Sequence, residues 1–271
     1  MHFHIFKNGG TTIEAILTRE FSGRFGTVHG LHANSALDGD DIAVFIRMHP
    51  NVSALSSHHL RYPLPSIRRT ILYDCCFLRH PLDRLQSVYS FLRTEPAELW
   101  VEDPIRDLSQ TVGPREFMRR LLNEFPHFVS NAQTLLIAAG GVLTRPLDEA
   151  DLALAVETLR RMAIPGLVKM FDESMVAAEY FLRPAFPNLR LHYVAQNVSR
   201  PSWNLDQRLE ELRTLWGRDV YEDLLHLNRL DLELCACAEN EIHRRFCLVP
   251  NRQARLMEFR TRCSDLRLSI P

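Results

Sequence analysis

Hydrophobic and polar positions follow one another along this chain in an order that predicts strands and helices in alternation. Five apolar or alternating runs predict strands, at residues 2–6, 43–48, 71–78, 166–171 and 189–194. Apolar side chains at helical spacing predict helices at residues 11–21, 81–93, 114–125, 130–139, 148–163, 172–182 and 205–246. The run at residues 71–78 is nearly all apolar, which is typical of a central strand in a parallel sheet.

This order of elements favours the α/β class, with a central parallel sheet and a helical C-terminal portion. We expect a single domain over residues 1–271, with a core over about residues 1–200 and C-terminal helices over about residues 205–250. Residues 252–271 predict a basic tail without a clear period. Residues 94–113 are irregular and acidic, and they predict a surface loop or lid.

The composition excludes several classes of protein. A net charge of −1 argues against a chain that coats nucleic acid or an anionic membrane. No apolar stretch reaches the roughly 18 residues of a transmembrane helix, and the N-terminus lacks the pattern of a signal peptide. We therefore expect a cytoplasmic protein, with the lumenal domain of a truncated Golgi-type protein as the alternative. The six cysteines lack the spacing of a zinc site and predict reduced thiols.

The first candidate site lies between the strand at residues 2–6 and the helix after it. The connecting residues are Lys7, Asn8, Gly9, Gly10, Thr11 and Thr12. Two glycines let backbone N–H groups turn inward, the helix start adds its own N–H groups, and the other side chains add a cation and two hydroxyls. This combination predicts an anion-binding loop, although not a Walker A loop, because the lysine precedes the glycines. Glu14 has the spacing to complete a capping box with Thr11.

A second anion site is predicted after the strand at residues 71–78. Arg79 follows that strand at the end where open α/β sheets bind ligands. If Pro81 is the first helical residue and His80 the N-cap, Ser87 lies two turns further along the same face. Arg79 and Ser87 would then hold one phosphate together. The alternative is that Arg79 pairs with Asp83 and that Ser87 only allows close helix packing.

Both junctions carry a family resemblance. Residues 4–12, HIFKNGGTT, resemble the 5′-phosphosulfate loop of sulfotransferases that use 3′-phosphoadenosine 5′-phosphosulfate (PAPS), a loop usually written HxPKTGGTS. Residues 77–89, FLRHPLDRLQSVY, are similar to the 3′-phosphate motif of that family, LRDPxxRxxSxY. Weaker similarities to its carbohydrate branch, which includes the uronosyl 2-O-sulfotransferases, occur at residues 131–134, 166–174, 197–199 and 228–231. The resemblance runs from residue 4 to about residue 240.

The resemblance implies a P-loop-like three-layer fold and an enzyme that moves a sulfuryl group from PAPS to a hydroxyl of a carbohydrate or glycoconjugate. The product of the donor would be 3′-phosphoadenosine 5′-phosphate (PAP), and no metal would be required. The implied donor-binding residues are Lys7, Asn8, Gly9, Gly10, Thr11, Thr12, Arg79, Ser87, Asn197 and Ser199. Lys7 would also stabilise the leaving phosphate oxygen. The chain departs from the family pattern at Phe6, Asn8 and His80, where Pro, Thr and Asp are usual.

An acceptor hydroxyl needs a base. Residues 56–63, SSHHLRYP, resemble the Gly-His-hydrophobic segment of the family, with His59 at the histidine position and His58 in place of the glycine. A neutral imidazole can take the hydroxyl proton as the oxygen attacks sulfur. We predict His59 as the base, with His58 as the first alternative and His49 or a carboxylate after it.

Two other functions stay open at this stage. A P-loop kinase or NTPase would use Mg²⁺, but the Gly-Lys-[Ser/Thr] step and an acidic residue at the end of a neighbouring strand are absent. A non-catalytic binding module would keep the donor site without turnover. Among the 32 basic residues only Lys7 and Lys169 are lysines, so a compact ammonium at position 7 stands out against the general use of arginine.

Overall fold

A computed structural model shows five strands in one parallel sheet, in the order β2–β3–β1–β4–β5. The structure describes residues 1–32, 35–94, 103–141, 143–196 and 204–269. The strands are β1 (His2–Phe3), β2 (Phe25–Thr27), β3 (Ala54–Ser57), β4 (Cys75–Leu78) and β5 (Ile164–Leu167). The predicted α/β class with a central parallel sheet is confirmed.

Helices cover both faces of this sheet. They are α1 (Gly10–Phe21), α2 (Gly39–Met48), α3 (Pro81–Thr94), α4 (Pro104–Thr111), α5 (Pro114–Glu124), α6 (Pro126–Val129), α7 (Ala132–Ala139), α8 (Glu149–Arg161), α9 (Phe171–Leu182), α10 (Leu205–Trp216), α11 (Arg218–Leu227), α12 (Arg229–Cys247) and α13 (Arg252–Ser269). Every predicted helical segment is helical, and the segment predicted at residues 205–246 is divided into the three helices α10, α11 and α12. None of the helices in the described ranges is both long enough and apolar enough to cross a membrane.

Side chains that alternate along β4 show how the layers form. Cys75 and Phe77 pack into a core with α1, α9 and α13, whereas Cys76 and Leu78 pack into a core with α7, α8 and α12 on the opposite face. The sheet is thus the middle of three layers, as predicted. A third core lies among α3, α4, α5, α10 and α11, where Leu85, Val88 and Leu92 form the predicted apolar stripe of α3.

The strand order places the two candidate junctions side by side. β1 lies between β3 and β4, the chain leaves β1 toward the β2 edge, and it leaves β4 toward the β5 edge. A reversal of this kind opens a crevice at the carboxyl ends of the two strands. The loop before α1 and the loop before α3 both begin there.

Residues 43–48 are helical, so the strand predicted there is wrong. They belong to α2, and Asp38 and Asp41 form a capping box at its start, with each side chain accepting the backbone N–H of the other residue. Ile42 is buried on one face of this helix. The sequence did not reveal β2 or β3, because these short strands are rich in small and polar residues and have no apolar alternation.

The other predicted strands also differ from the structure. β1 and β5 end at Phe3 and Leu167, before the predicted ends at residues 6 and 171. The strand at residues 71–78 begins only at Cys75, and Ile71 is 79% exposed. Residues 189–194 form no strand, although Leu191 is buried. The backbone N–H of Leu191 donates to Glu179, and the N–H of Arg190 donates to Glu20. Side chains therefore satisfy these N–H groups in place of a neighbouring strand.

Two segments that looked irregular contain helices. The predicted basic tail forms α13, whose Leu256 and Phe259 are buried in the core beside α9. Only those two side chains of α13 are buried, which explains the weak sequence period. The predicted lid contains α4, which Asp103 caps by accepting the N–H groups of Ile105 and Arg106. Residues 95–102 of that segment lie outside the described ranges.

Candidate active site

A cleft of about 170 Å³ lies where β1 and β4 end, and residues of both predicted anion sites line it. The first junction contributes Lys7, Gly9, Gly10, Thr11 and Thr12, and the second contributes Arg79 and Ser87. Further lining residues are His4, Phe6, His58, Phe91 and Gln196. None of the described lining residues is an aspartate or glutamate, so the cleft suits an anion.

The loop before α1 depends on its two glycines for different reasons. Gly9 is the N-cap of α1 with φ of 79°, in the left-handed region that favours glycine. A Cβ at Gly10 would lie 1.8 Å from Nε2 of His4, so only glycine fits against that ring. The helix begins at Gly10, and the predicted capping box from Thr11 is wrong: Glu14 instead contacts Nδ1 of His4 at 2.9 Å.

Aromatic rings hold the Lys7 ammonium at the cleft. Its Nζ lies 4.1 Å from the ring centroid of Phe91 and 5.7 Å from that of Phe6. The backbone of Lys7 also has positive φ, at 66°. The attraction between an ammonium and aromatic ring faces places this cation at the edge of the cleft.

Arg79 combines the two roles that the sequence left open. Its Nε pairs with Asp83 over 2.8 Å, as the alternative predicted, yet the residue also lines the cleft. Its Nη1 donates to the carbonyl oxygen of Lys7 over 3.0 Å. Burial would raise the pKa of Asp83, but the guanidinium groups of Arg79 and Arg208 lower it overall. Asp83 therefore remains a carboxylate that fixes the direction of the arginine side chain.

A second arginine of the same motif holds the neighbouring carbonyl. Arg84 is buried, and its Nε donates to the carbonyl oxygen of Phe6 over 3.0 Å. Burial lowers its pKa from the usual value. Arg79 and Arg84, both from the second junction, thus hold two consecutive carbonyls of the first junction, at Phe6 and Lys7. No role for Arg84 was predicted from the sequence.

Asn8 lies behind the cleft wall and does not line it. Its side chain is 2% exposed, and its Nδ2 donates to the carbonyl oxygen of Phe77 and to Oε1 of Gln133, each over 2.8 Å. From this position the side chain of Asn8 cannot make the predicted contact with the sulfuryl donor. The residue instead joins the loop to β4 and α7.

Two of the weaker sequence motifs contact each other beneath the cleft. Asp231 at the start of α12 accepts the backbone N–H groups of Gln133 and Thr134 and the hydroxyl of Thr134. The side-chain oxygen of Asn228 accepts the backbone N–H of Asn131. The motif at residues 131–134 is thereby held by the motif at residues 228–231. The residue types were visible in the sequence, but their contact required the fold.

The two adjacent histidines have different surroundings. His58 lines the cleft, and its Nδ1 lies 2.7 Å from the carbonyl oxygen of His4. A carbonyl only accepts, so Nδ1 carries the proton and Nε2 keeps its lone pair. Burial lowers the pKa of His58 to about 4. His59 does not line the cleft: it is 8% exposed, and its Nδ1 accepts the N–H of Gly30 over 2.7 Å.

The remaining predicted donor-binding residues, Asn197 and Ser199, lie outside the described residues. The residue before them, Gln196, lines the cleft, and its backbone N–H donates to the Thr12 hydroxyl over 3.1 Å.

Comparisons with known proteins give one similarity. No family model matches the chain, and no solved structure matches it. The chain is similar to a protein of Archaeoglobus fulgidus described as uncharacterized, with 27% identity over 240 residues that cover 86% of this chain and 92% of that protein. The similarity spans nearly the whole of both chains, and the description of that protein states no activity.

Proposed function

We propose that the chain is a sulfotransferase that moves the sulfuryl group of PAPS to an acceptor hydroxyl. The observation that carries the proposal is the meeting of the two junctions in one cleft, where each was predicted to bind an anion. PAPS has a phosphosulfate at one end and a 3′-phosphate at the other, so a protein that binds it needs two such sites. A ligand with a single phosphate would need one.

The residues of the first junction suit the phosphosulfate. Lys7 supplies a cation, and the start of α1 adds backbone N–H groups, together with the hydroxyls of Thr11 and Thr12. Transfer breaks the bond between sulfur and the 5′-phosphate oxygen, and that oxygen gains negative charge. Lys7 would stabilise this charge, and electrostatic stabilisation of developing charge is usually the largest single contribution to catalysis.

The residues of the second junction suit the 3′-phosphate. Arg79 is held in one direction by Asp83, and its Nη2 has no hydrogen-bond partner among the described residues. Ser87 lines the same cleft. A guanidinium with a fixed direction and a nearby hydroxyl match the oxygens of a phosphate.

His58 is the base that this geometry favours. Its Nε2 keeps a lone pair, and the residue lines the cleft, whereas His59 lies behind it. The acceptor oxygen would attack sulfur while its proton moves to Nε2 of His58, and PAP would leave with the electron pair of the broken bond. We therefore propose His58, the first alternative from the sequence, as the base in place of His59.

The acceptor class rests on the resemblance to the carbohydrate branch. We propose a saccharide or glycoconjugate hydroxyl, and a panel of glycans, lipids and small alcohols offered with radiolabelled PAPS tests this class. Transfer to a lipid or a simple alcohol, with no transfer to any glycan, would contradict the proposed acceptor class but support the proposed sulfuryl transfer.

A thermal-shift comparison tests the donor. A ligand at one hundred times its Kd stabilises a protein by about 2.7 kcal/mol, so saturating PAP should raise the Tm measurably. ATP with Mg²⁺ should raise it less, because no acidic side chain among the described lining residues is present to hold the metal. A rise with ATP–Mg²⁺ alone would establish the kinase or NTPase alternative. Binding of PAP without turnover on any acceptor would establish the binding module.

A further inference from the structure

Two histidines and a glutamate meet between the sheet and α1, outside the set of residues that the proposed reaction uses. One ligand atom from each of His2, His4 and Glu14 lies within 4.8 Å of the other two. His4 Nδ1 and Glu14 Oε1 are 2.9 Å apart. The Ser56 hydroxyl lies 2.9 Å from His2 Nδ1 and 2.8 Å from Glu14 Oε1, so it connects the remaining pair.

Local structure explains why these three side chains meet. His2 and His4 are two positions apart at β1, so they point to the same side of the extended chain. Their rings stack with centroids 5.0 Å apart. Glu14 lies in the second turn of α1 and faces the sheet, where it contacts both His4 and Ser56. Gly10 allows the His4 ring to sit directly against the helix.

The chemistry of the cluster is that of a transition-metal site. Two imidazoles and one carboxylate are the donor set that Zn²⁺ and similar first-row ions take in open sites, where a fourth position remains for water or a substrate atom. His2 is 2% exposed, while Glu14 is half-buried and His4 lines the cleft, which gives an ion a route of entry.

The surroundings restrict the movement of these groups. Ser56 bonds to the Glu14 carboxylate, and the His58 ring lies against the His4 ring with centroids 3.7 Å apart. Outer contacts of this kind orient metal ligands and raise affinity.

We propose that His2, His4 and Glu14 bind one Zn²⁺ ion. The ion would join β1 to α1 at the floor of the anion cleft, and it would add positive charge beside the residues that line it. The ligands of this site are not among the residues assigned to PAPS, so Zn²⁺ binding can be measured in the absence of the donor.

Direct metal binding tests the proposal. Chelator-treated wild-type protein is titrated with Zn²⁺ by calorimetry, and Co²⁺ is added separately to record its visible absorption. We expect one ion per chain and the intense absorption of a four-coordinate Co²⁺ site. Glu14→Gln keeps the shape of the side chain and should weaken Zn²⁺ binding by at least tenfold. His2→Asn, which keeps a polar group beside Ser56, should do the same.

A matched control addresses adventitious binding. His243 and Cys247 form an exposed pair, with Nε2 and Sγ 3.5 Å apart, that can collect zinc on its own. His243→Ala should leave the stoichiometric site unchanged. The proposal is overturned if metal-free wild-type protein takes up no Zn²⁺ at equimolar concentration. It is also overturned if both Glu14→Gln and His2→Asn bind as tightly as wild type, or if His243→Ala abolishes binding.

Discussion

The side-chain amide of Asn8 donates to the side-chain oxygen of Gln133 over 2.8 Å, although the two residues are 125 positions apart. The same oxygen accepts the backbone N–H of Arg79 over 2.9 Å. One buried amide therefore holds the loop before α1 and the start of the second junction in a fixed relation. A ligand with two anionic ends binds well only when the two anion sites keep their spacing, so this amide supports the site without touching the ligand.

Gln133→Leu should weaken PAP binding and lower stability together. The substitution keeps a similar size but leaves the buried Asn8 amide and the Arg79 backbone N–H with one partner fewer, at a cost of about 1–3 kcal/mol. Urea unfolding measures the stability, and calorimetry with PAP measures the binding. The control is Gln253→Leu on the exposed surface of α13. PAP affinity equal to wild type in Gln133→Leu would show that the amide does not set the spacing.

Lys7→Ala should reduce sulfuryl transfer by about 10²–10³-fold, the usual effect of removing one group that stabilises developing negative charge. Lys7→Arg should restore little activity, because a planar guanidinium does not match a compact ammonium held over Phe91. Lys169→Ala is the matched control, since the only other lysine pairs with Glu239 on the surface. Radiolabelled transfer from PAPS gives the rate, and unfolding checks that each variant folds. Full activity in Lys7→Ala would contradict the proposed function.

The sequence indicated which residues of the two junctions line the cleft, because their pattern is local. Glycine, lysine and threonine near a helix start, and the spacing from Arg79 before α3 to Ser87 within it, are properties of neighbouring residues. The sequence did not predict that Arg84 and Gln133 hold the first loop, because each acts through a residue distant in the chain. The prediction that Asn8 lines the cleft was wrong for a related reason. The sequence shows that its side chain is polar, but the direction of that side chain depends on the distant residue Gln133.

The sequence was also insufficient to decide which of His58 and His59 lines the cleft. Both follow β3 directly, and consecutive side chains of an extended chain point to opposite sides. Because β3 was not recognised in the sequence, there was no basis for deciding which of the two histidine side chains faces the cleft. β3 was missed because ALSS has no apolar alternation, so the register of the two histidines was lost with it.

Separate replacement of the two histidines distinguishes their roles. His58→Asn should lower transfer by about 10²–10⁴-fold with little change in PAP affinity, because it removes the group that accepts the proton. His59→Asn should act mainly on stability, since the N–H of Gly30 would lose its imidazole acceptor. Initial rates, PAP calorimetry and unfolding, measured on both variants, check this. The opposite pattern, with transfer lost in His59→Asn alone, would return the role of base to His59.

His80 should make the protein less stable in mild acid. Its carbonyl accepts the N–H of Arg84 at the start of α3, and its Nδ1 is buried without a hydrogen-bond partner among the described residues. Burial lowers its pKa from 6.5 to about 4, against an opposing effect of Asp83, while Lys169 and Arg208 lower it further. The unfolded chain therefore binds a proton before the folded one. The contribution of His80 to stability is complete above about pH 6.5 and is lost as the pH falls toward 4.

Between pH 7 and pH 5 this effect should cost on the order of 1–2 kcal/mol. His80→Asn has no group that titrates in this range, and asparagine is a favourable N-cap, so the variant should lose less stability over the same interval. Urea titrations at pH 7 and pH 5 give the change in unfolding free energy for each protein. Because both proteins contain the same other histidines, the effect of His80 is the difference between these two changes. An equal loss of unfolding free energy in the two proteins would mean that His80 is protonated in the folded state at pH 5. That result would contradict the neutral His80 ring proposed at the start of α3.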